Sequence, residues 1–403
     1  MIDMLVLRCD FKKDREFNVE SHWPTFTLAL LNVPVEQSID RDGHVFNTRH
    51  PWEKIPSSYD SMAFKIFDHR YDPLDMFYIE IKASPAKIMQ GHNIYGSSDF
   101  YDCCMHLLEL LCMNCVDVAE HLDHSTWSLS QIDITFSSRA QDDKTGIAFI
   151  NSLQNVSYGQ TKPRTGFGGT AYFGKKNSRL KKIKVYSKFP EVQETIKNNE
   201  TKKDGHLLNE VYTSDLLDFS KGLIRWEASL YHRYFERLGI STSLKDLFYH
   251  HSLSPSQLQN YWILATSDLF NALKGHTMKT LNNTEVKDAL RLKFSKISKK
   301  TGKVSMAAAD SAFKTYLDIR RDGWVVSRDS MPIRTFDHHV KMLTESGLSR
   351  AALQNMDGLT DGALIIPFVR FIQVEFAAQF PADYVQPASV HVYEPQPRLR
   401  LVA

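Results

Sequence analysis

The stretch FYIEIKAS, residues 77–84, alternates apolar and polar side chains as a half-buried β-strand does, and Pro85 ends it. The stretch SMAFKIF, residues 61–67, alternates in the same way. Four further stretches are strand-like: MIDMLVLR (1–8), WSLSQIDITFSS (127–138), IKVYSK (183–188) and GLIRWEASLY (222–231). Because helix-like stretches separate these strands and several strands can pair as hairpins, the pattern predicts a layered α+β domain with an antiparallel sheet.

Helical periodicity separates the predicted strands. Apolar residues recur at helical spacing from residue 100 to about 120, and Asp99 is placed to cap that helix. A second helix is predicted from Asp142 onward, and residues 156–181 predict a loop or short hairpin. Pro190 suits the first turn of a helix that runs toward Asn199.

Strand signals fade beyond about residue 240. Residues 256–273, 307–321, 332–346 and 349–355 have helical character. We therefore predict two domains, an α+β domain over residues 1–245 and a mainly helical domain over residues 246–403.

The composition excludes several classes of protein. The chain has 403 residues, of which 42% are hydrophobic and 24% are charged, so it has enough apolar surface to fold. No stretch approaches eighteen apolar residues, and the N-terminus lacks the features of a signal peptide. Five cysteines indicate a reducing cytoplasm rather than a disulfide scaffold.

The net charge of +2 conceals an asymmetry along the chain. Residues 1–160 carry 13 basic and 23 acidic residues, a net charge of −10, whereas residues 161–403 carry 36 basic and 24 acidic residues, a net charge of +12. A basic half beside an acidic half indicates a polyanionic partner for part of the surface, although solubility alone could also produce it.

The strongest basic segment spans residues 162–188, with nine basic residues and no acidic residue. Aromatic residues are interleaved with these cations, a combination that suits single-stranded nucleic acid, although a solvated loop is the alternative. The candidate DNA-binding residues here are Lys175, Lys176, Arg179, Lys182 and Lys184.

Tyr186 lies within this basic segment. On a strand, Lys184, Tyr186 and Lys188 share one face, and adjacent positive charge favours the phenolate form of a tyrosine. A phosphodiester attracted by the same charge would then meet a nucleophile. The alternative is that Tyr186 only packs on a sheet.

Two acidic residues on predicted strands form a second constellation. Glu80 and Asp133 each lie between isoleucines, where a carboxylate needs a partner or a cation. Oxygen ligands suit Mg²⁺ or Mn²⁺, and His92 could add a nitrogen ligand, whereas salt bridges are the alternative. A zinc site formed by Cys112, Cys115, His121 and His124 is disfavoured, because the spacer between the two pairs is too short.

A third constellation lies in the helical domain. Arg334, His338 and Lys341 share one helix face, opposite an apolar stripe. Residues 287–350 carry 14 basic and 7 acidic residues, and the helices around this segment are compatible with a helix-turn-helix. The alternative is a helical hairpin with a solvated face.

Several strings in this order resemble one known family, the gene II replication initiators of filamentous bacteriophages. They are MIDMLVLR, SMAFKIF, EIKASPAKIMQGHNIYG, QIDITFSSRA, NVSYGQTK, GLIRWEA and PFVRFIQVEF. The likeness runs from residue 1 to about residue 384 and is weakest over residues 9–45 and 165–180.

This resemblance implies an antiparallel-sheet nicking domain of the rolling-circle initiator and relaxase type, followed by a helical DNA-binding domain. Such enzymes nick the viral strand at the duplex origin, become joined to its 5′ phosphate through tyrosine, and later rejoin the displaced strand into a circle. The family's Tyr-x-Lys context matches Tyr186-Ser187-Lys188, with Tyr172 as second candidate nucleophile.

The resemblance also implies Mg²⁺, with Mn²⁺ as an alternative, which we assign to Glu80, Asp133 and His92, with Glu227 as an alternative ligand. The sequence departs from the wider class of relaxases in having no His-hydrophobic-His triplet.

The partners implied by the resemblance are double-stranded origin DNA, the displaced single strand, and the helicase and polymerase of the host, with oligomerisation at the origin. The implied location is the cytoplasm of the bacterial host, without membrane association. The family also makes a shorter product from an internal start, which matches Met278 here. The competing hypothesis is a non-catalytic DNA-binding regulator of phage replication.

Overall fold

The computed structural model of the protein describes residues 1–12, 36–67, 77–158, 161, 163–165, 169–202, 205–274, 282–297, 302–357, 371–384 and 391. Within these ranges the N-terminal part is built on one large sheet and the C-terminal part on helices. The predicted α+β class and the helical C-terminal part are therefore confirmed.

Thirteen strands are present in the described residues. They are β1 Ile2–Asp10, β2 Glu36–Ile39, β3 Val45–Arg49, β4 Glu53–Pro56, β5 Ser61–Phe67, β6 Tyr78–Ala83, β7 Ser128–Arg139, β8 Pro163–Thr165, β9 Thr170–Phe173, β10 Lys181–Ser187, β11 Leu223–Tyr231, β12 Lys296–Ile297 and β13 Val304–Ser305. Nine of them form an antiparallel sheet in the order β4-β5-β6-β1-β7-β11-β10-β9-β8. The hairpins β2-β3 and β12-β13 are separate.

Fifteen α-helices are present in the same ranges. They are α1 Pro85–Gln90, α2 Phe100–Asn114, α3 Val116–Glu120, α4 Asp143–Leu153, α5 Lys188–Glu200, α6 Gly205–Asn209, α7 Ser214–Ser220, α8 His232–Arg237, α9 Leu244–Leu253, α10 Gln257–Leu273, α11 Asn283–Phe294, α12 Ala307–Asp322, α13 Trp324–Asp329, α14 Ile333–Glu345 and α15 Arg350–Gln354. None of the helices in the described ranges has both the length and the hydropathy needed to cross a membrane.

Helices cover one face of the large sheet and form the first hydrophobic core with it. The alternation of apolar residues along the strands supplies one half of this core, and α2, α4 and α10 supply the other. Trp226 of β11 is fully buried there, and its carbonyl accepts a hydrogen bond of 2.9 Å from the indole nitrogen of Trp262 on α10. The alternate residues on the opposite face of the sheet are mostly polar.

A second hydrophobic core lies in the helical part. Its buried residues run from Val286 on α11 to Met356 after α15, with Tyr316 of α12 and Phe336 of α14 fully buried. Helices α9 and α10 instead contribute to the first core, as do Phe371 and Ile372 near the C-terminus. The chain is thus divided into two cores after Leu273 and returns to the first core at its end.

The domain boundary predicted at residues 245 and 246 falls where the strand signals end, before α9 and α10 have finished packing on the sheet. Secondary structure changes there, but the core does not. The predicted internal start, Met278, lies outside the described residues.

Candidate active site

A cleft of about 440 Å³ opens on the polar face of the sheet. Residues from four neighbouring strands and one loop line it, and we call it the carboxylate cleft. The residues used below are Asp3, Asn93, Asp133, Lys184, Tyr186 and Glu227.

Strand register explains why these side chains meet. On β10 and β11, Lys184 lies opposite Glu227, and Tyr186 lies opposite Arg225. Directly opposite residues of an antiparallel pair share a face. Asp133 of β7 lies opposite Ser229, so it is a diagonal neighbour of Glu227 on that same face. Asp3 lies at a register shift between β1 and β7, which adds a third carboxylate.

Tyr186 is buried, with 4% of its surface exposed, yet it lines the carboxylate cleft. The ammonium nitrogen of Lys184 lies 4.1 Å from the centroid of its ring. Burial raises the pKa of Tyr186 well above its ordinary value, and the opposing effect of the Arg225 charge is smaller. The expectation that adjacent cations favour phenolate is therefore wrong for the ligand-free protein, because desolvation outweighs them.

Lys188 begins helix α5 and does not continue the strand, so it does not share the exposed face with Lys184. It is fully buried, and its Nζ donates a hydrogen bond of 2.8 Å to Asn93 Oδ1 and another to Glu191. Burial lowers the pKa of Lys188 to about 8, although Glu191 opposes the shift. Lys188 therefore contacts the site through Asn93.

Asn93 connects Lys188 with a buried ion pair. Its Nδ2 donates a hydrogen bond of 2.7 Å to Asp3 Oδ1, and Asp3 Oδ2 lies 3.5 Å from a guanidinium nitrogen of Arg225. Arg225 is fully buried and also donates to the carbonyl oxygens of Asn93 and Ile94. Burial alone would raise the pKa of Asp3, but Arg225 and Lys188 hold it below its ordinary value.

The other two carboxylates are harder to ionise. Burial raises the pKa of Asp133 to about 6, although Gln131 donates to its Oδ1 over 2.8 Å. Burial raises the pKa of Glu227 to about 8, with the Asp133 and Asp3 charges adding to the effect. Lys184 lies 3.9 Å from Glu227 Oε2 and opposes that shift. A bound cation would relieve this excess of negative charge.

Three carboxylates in one cleft form an oxygen-only donor set, which suits Mg²⁺ or Mn²⁺. They do not converge as a closed cage, because among the described residues only Asp102, His106 and His391 bring three ligand atoms within 4.8 Å of one another. Mg²⁺ usually retains several waters and takes one or two carboxylates together with substrate phosphates. The open arrangement of Asp3, Asp133 and Glu227 fits that form of binding.

The structure does not bring Glu80 together with Asp133. On β1, Glu80 pairs with Arg8 and Asp133 pairs with Met4, so the two carboxylates lie at different ends of the sheet face. Glu80 accepts a hydrogen bond of 3.1 Å from Ser130 and lines a second cleft of about 590 Å³. Burial raises its pKa.

His92 is buried next to the carboxylate cleft but does not line it. Its Nδ1 accepts a hydrogen bond of 3.3 Å from the backbone N–H of Ile94, and its ring meets that of Tyr95 edge to face. Burial lowers the pKa of His92 to about 4, with Lys188 and Arg225 adding to the effect. A neutral imidazole of this kind supports the loop that carries Asn93.

The predicted DNA-binding residues of the basic segment are distributed along the sheet face. Lys175 and Lys176 are exposed in the turn between β9 and β10, and Arg179 lines the second cleft. The Nζ of Lys182 lies 4.9 Å from the ring centroid of Tyr231, another residue of that cleft. Lys184 reaches the carboxylate cleft instead, so the segment extends from one cleft to the other.

Tyr172, the second candidate nucleophile, lies opposite Lys184 on β9 and is half-buried. It is not among the residues that line the carboxylate cleft. Tyr186 is therefore the candidate that the structure places beside the carboxylates.

In the helical part, Arg334, His338 and Lys341 are all exposed on α14, opposite the buried Phe336 and Val340. A short helix that the sequence did not predict, α13, precedes α14 and is joined to it by residues 330–332. A helix-turn-helix would thus consist of α13 and α14, with α12 packed behind them.

The structure also separates the four residues of the disfavoured zinc site. Cys112 is exposed, while His121 and His124 bond the backbone carbonyl oxygens of Asp117 and Ala119.

Sequence reasoning missed Asp3, Asn93, Arg225 and Glu191. The available signal was a charged residue inside an otherwise apolar strand, as for Asp3 in IDMLVL and Arg225 in LIRWEA. Such residues require buried partners, and here they are partners of one another.

The fold and the site define a class of protein: an antiparallel sheet that carries a tyrosine beside clustered carboxylates, joined to a basic helical unit. The N-terminal family of the phage replication-associated protein, the product of gene II, matches residues 1–249. The C-terminal family of the same replication-associated protein matches residues 299–390. The chain therefore belongs to the gene II replication-associated protein family of filamentous phages.

Full-length relatives support this assignment. The chain is 33% identical to the replication-associated protein of Salmonella phage IKe over 417 residues, which cover 97% of each chain. It is 32% identical to that of Enterobacteria phage f1, with 96% of this chain and 99% of the relative covered. No solved structure matches the chain significantly. The resemblance noted from the sequence, and the replication function it implied, are confirmed.

Proposed function

We propose that this protein initiates rolling-circle replication by nicking the viral strand at the duplex origin and later rejoining the displaced strand. The observation that carries the proposal is the meeting of Tyr186 with Asp3, Asp133 and Glu227 in one cleft. A tyrosine beside a divalent-cation site is suited to phosphodiester transfer. The proposal includes action in the cytoplasm of the bacterial host.

Strand cleavage is proposed as a transesterification at Tyr186. Its Oη attacks the scissile phosphorus, so a bond from Oη to phosphorus forms and the bond from phosphorus to the DNA 3′ oxygen breaks. The phenolic proton passes to a carboxylate of the cleft, for which Glu227 with its raised pKa is suited. The departing 3′ oxygen takes up a proton and becomes a hydroxyl that a polymerase can extend.

The reverse reaction joins the strands. A 3′ hydroxyl attacks the phosphotyrosine and releases Tyr186. Because one phosphodiester replaces another in each direction, joining needs no ATP.

Asp3, Asp133 and Glu227 are the residues we assign to Mg²⁺ or Mn²⁺ in place of Glu80 and His92. When bound there, the ion supplies a Lewis acid that neutralises charge on the phosphate. Lys184 lies against the Tyr186 ring and attracts the phosphodiester. Lys188 acts as a positioning residue, because its bonds to Asn93 and Glu191 fix the loop and helix beside the cleft.

The path of the DNA is proposed to follow the polar face of the sheet. The second cleft offers Arg8, whose guanidinium lies 3.7 Å from the centroid of the Tyr78 ring, together with Arg179 and Tyr231. Cations beside aromatic rings suit the phosphates and bases of a single strand. The exposed basic face of α14 would hold the flanking duplex, with host helicase and polymerase recruited afterwards and oligomerisation at the origin.

The test compares Tyr186→Phe with Tyr172→Phe on supercoiled phage DNA that carries the origin, in the presence of Mg²⁺. Tyr186→Phe should abolish nicking, whereas Tyr172→Phe should retain it. Undiminished nicking by Tyr186→Phe would contradict the proposal. If neither nicking nor a covalent adduct occurs with the unaltered chain, while duplex binding persists, the non-catalytic regulator is the correct alternative.

A further inference from the structure

Helix α2 carries a row of potential metal ligands on the side of the molecule where the C-terminal segment ends. Asp102, His106 and Glu109 recur at spacings of four and three residues, so they share one helix face. His391, from the C-terminal segment, lies against that face. The strand carboxylates of the active site play no part in this cluster.

The four side chains are close together. One ligand atom each from Asp102, His106 and His391 lie within 4.8 Å of one another. His106 Nε2 is 3.7 Å from Asp102 Oδ1, and His391 Nε2 is 3.3 Å from Glu109 Oε2. The rings of the two histidines meet edge to face with their centroids 4.8 Å apart.

The surroundings fix one side of this cluster. Asp102 is buried, and its Oδ1 accepts the backbone N–H of His391 over 3.2 Å. His106 and His391 are half-buried. The ligand atoms are therefore held partly away from solvent, with a main-chain hydrogen bond already joining the two segments.

Two imidazoles and two carboxylates form a mixed nitrogen and oxygen donor set. Such a set selects borderline ions such as Zn²⁺ over Mg²⁺, which prefers oxygen ligands alone. We propose that Asp102, His106 and His391, with Glu109 as fourth ligand, form a Zn²⁺ site that fastens the C-terminal segment to α2. The site is independent of the proposed nicking chemistry.

The fastened segment contacts the large sheet and the loop beside the active site. Gln379 Oε1 accepts the backbone N–H of Ser137 over 2.8 Å, and Gln379 Nε2 donates to the carbonyl of Ser137 over 3.0 Å. Tyr384 packs against Tyr95 with their ring centroids 4.6 Å apart. A metal at His391 would thus close the chain onto the catalytic unit just beyond these contacts.

The first experiment measures metal binding by the full-length protein after chelation and dialysis. Equilibrium dialysis with Zn²⁺ should load this site with one equivalent of metal. His391→Ala and His106→Ala should each weaken its affinity at least about tenfold. His121→Ala is the matched control, because His121 lies just after α3 and bonds a backbone carbonyl. It should leave binding unchanged.

A second measurement reports on the segment itself. Zn²⁺ should slow limited proteolysis at the C-terminal end of the unaltered chain and of His121→Ala, but not of His391→Ala. Circular dichroism of each variant verifies that α2 remains folded. The proposal is overturned if His106→Ala and His391→Ala bind Zn²⁺ as tightly as the unaltered chain. It is also overturned if Mg²⁺ protects the segment equally, or if protection is the same without metal, since protonated histidines would then suffice for the contact.

Discussion

Lys184 holds its ammonium nitrogen 4.1 Å from the centroid of the Tyr186 ring. The same nitrogen lies 3.9 Å from Glu227 Oε2. One cation therefore contacts both the proposed nucleophile and a proposed metal ligand. Because Lys184, Tyr186 and Glu227 lie on two paired strands, the register of β10 against β11 sets this geometry.

Replacing Lys184 by Met should slow single-turnover nicking at saturating Mg²⁺ by at least about tenfold, because a cation within a few ångströms shifts a pKa by about one unit or more. The pH at which the rate reaches half its maximum should also rise. The measurement is a pH-rate profile on origin DNA.

Lys182→Met is the matched control, since Lys182 lies two residues away on the same face and contacts Tyr231 instead. Equal losses in the two variants would show that Lys184 contributes only general attraction for DNA.

Glu227→Gln should stabilise the metal-free protein at alkaline pH. In the folded protein Glu227 has a pKa of about 8, against an ordinary value of 4.5, so the folded state retains a proton that the unfolded chain loses. The stability of the unaltered chain therefore falls as pH rises from about 4.5 to about 8, and the variant lacks this loss.

Thermal unfolding in the presence of a chelator tests this prediction. The melting temperature of Glu227→Gln should exceed that of the unaltered chain by several degrees at about pH 8.5 and by little at about pH 5. Mg²⁺ should narrow the difference by binding the unaltered chain more tightly. A gap that is independent of pH would contradict the assignment.

Local signals in the sequence predicted the strongest elements well. Asp99 was expected to cap a helix, and in α2 its side chain accepts the backbone N–H of Asp102 over 2.9 Å. The predicted strands over residues 127–138 and 222–231 match β7 and β11 within a residue or two. These predictions succeeded because alternation and capping depend only on neighbouring residues.

The environment of Lys188 shows how a small boundary error alters a site. The sequence placed Lys188 on the strand with Tyr186, and began the helix near Pro190. Helix α5 begins two residues earlier, at Lys188, so this lysine turns away from the strand face and is fully buried.

The grouping of carboxylates could not be predicted from local patterns. Asp3 and Asp133 meet because β1 pairs with β7, more than a hundred residues further along the chain, with a register shift at Asp3. Glu80 was placed on the correct face, but its pairing with Arg8 moves it to the other end of the sheet. Long-range register, which the sequence alone does not specify, decides which acids share a cleft.

Asp3→Asn should destabilise the protein by about 3 kcal/mol, because it leaves the buried Arg225 guanidinium without its carboxylate partner. Chemical denaturation in the presence of a chelator measures this loss apart from any effect on metal binding. Asp288→Asn, at an exposed position of α11, serves as the control and should change stability by less than about 0.5 kcal/mol. Equal effects of the two substitutions would exclude a structural role for the Asp3–Arg225 pair.

Lys341→Ala should weaken binding of the full-length protein to duplex DNA and reduce the slope of log affinity against log salt by about 1. Lys341 is exposed on α14, on the face that we assign to phosphate contact. Lys314→Ala, exposed on the neighbouring α12, should leave the slope unchanged. If both variants lower the slope equally, α14 is not a specific contact surface.

The most direct test of the central claim is to map the covalent adduct between the protein and origin DNA. The full-length protein is incubated with Mg²⁺ and origin DNA, digested, and the peptide that carries the nucleotide is sequenced. We predict that the 5′ phosphate is attached to Tyr186, in the peptide IKVYSK. Attachment at Tyr172 or any other residue, or nicking without an adduct, would contradict the account.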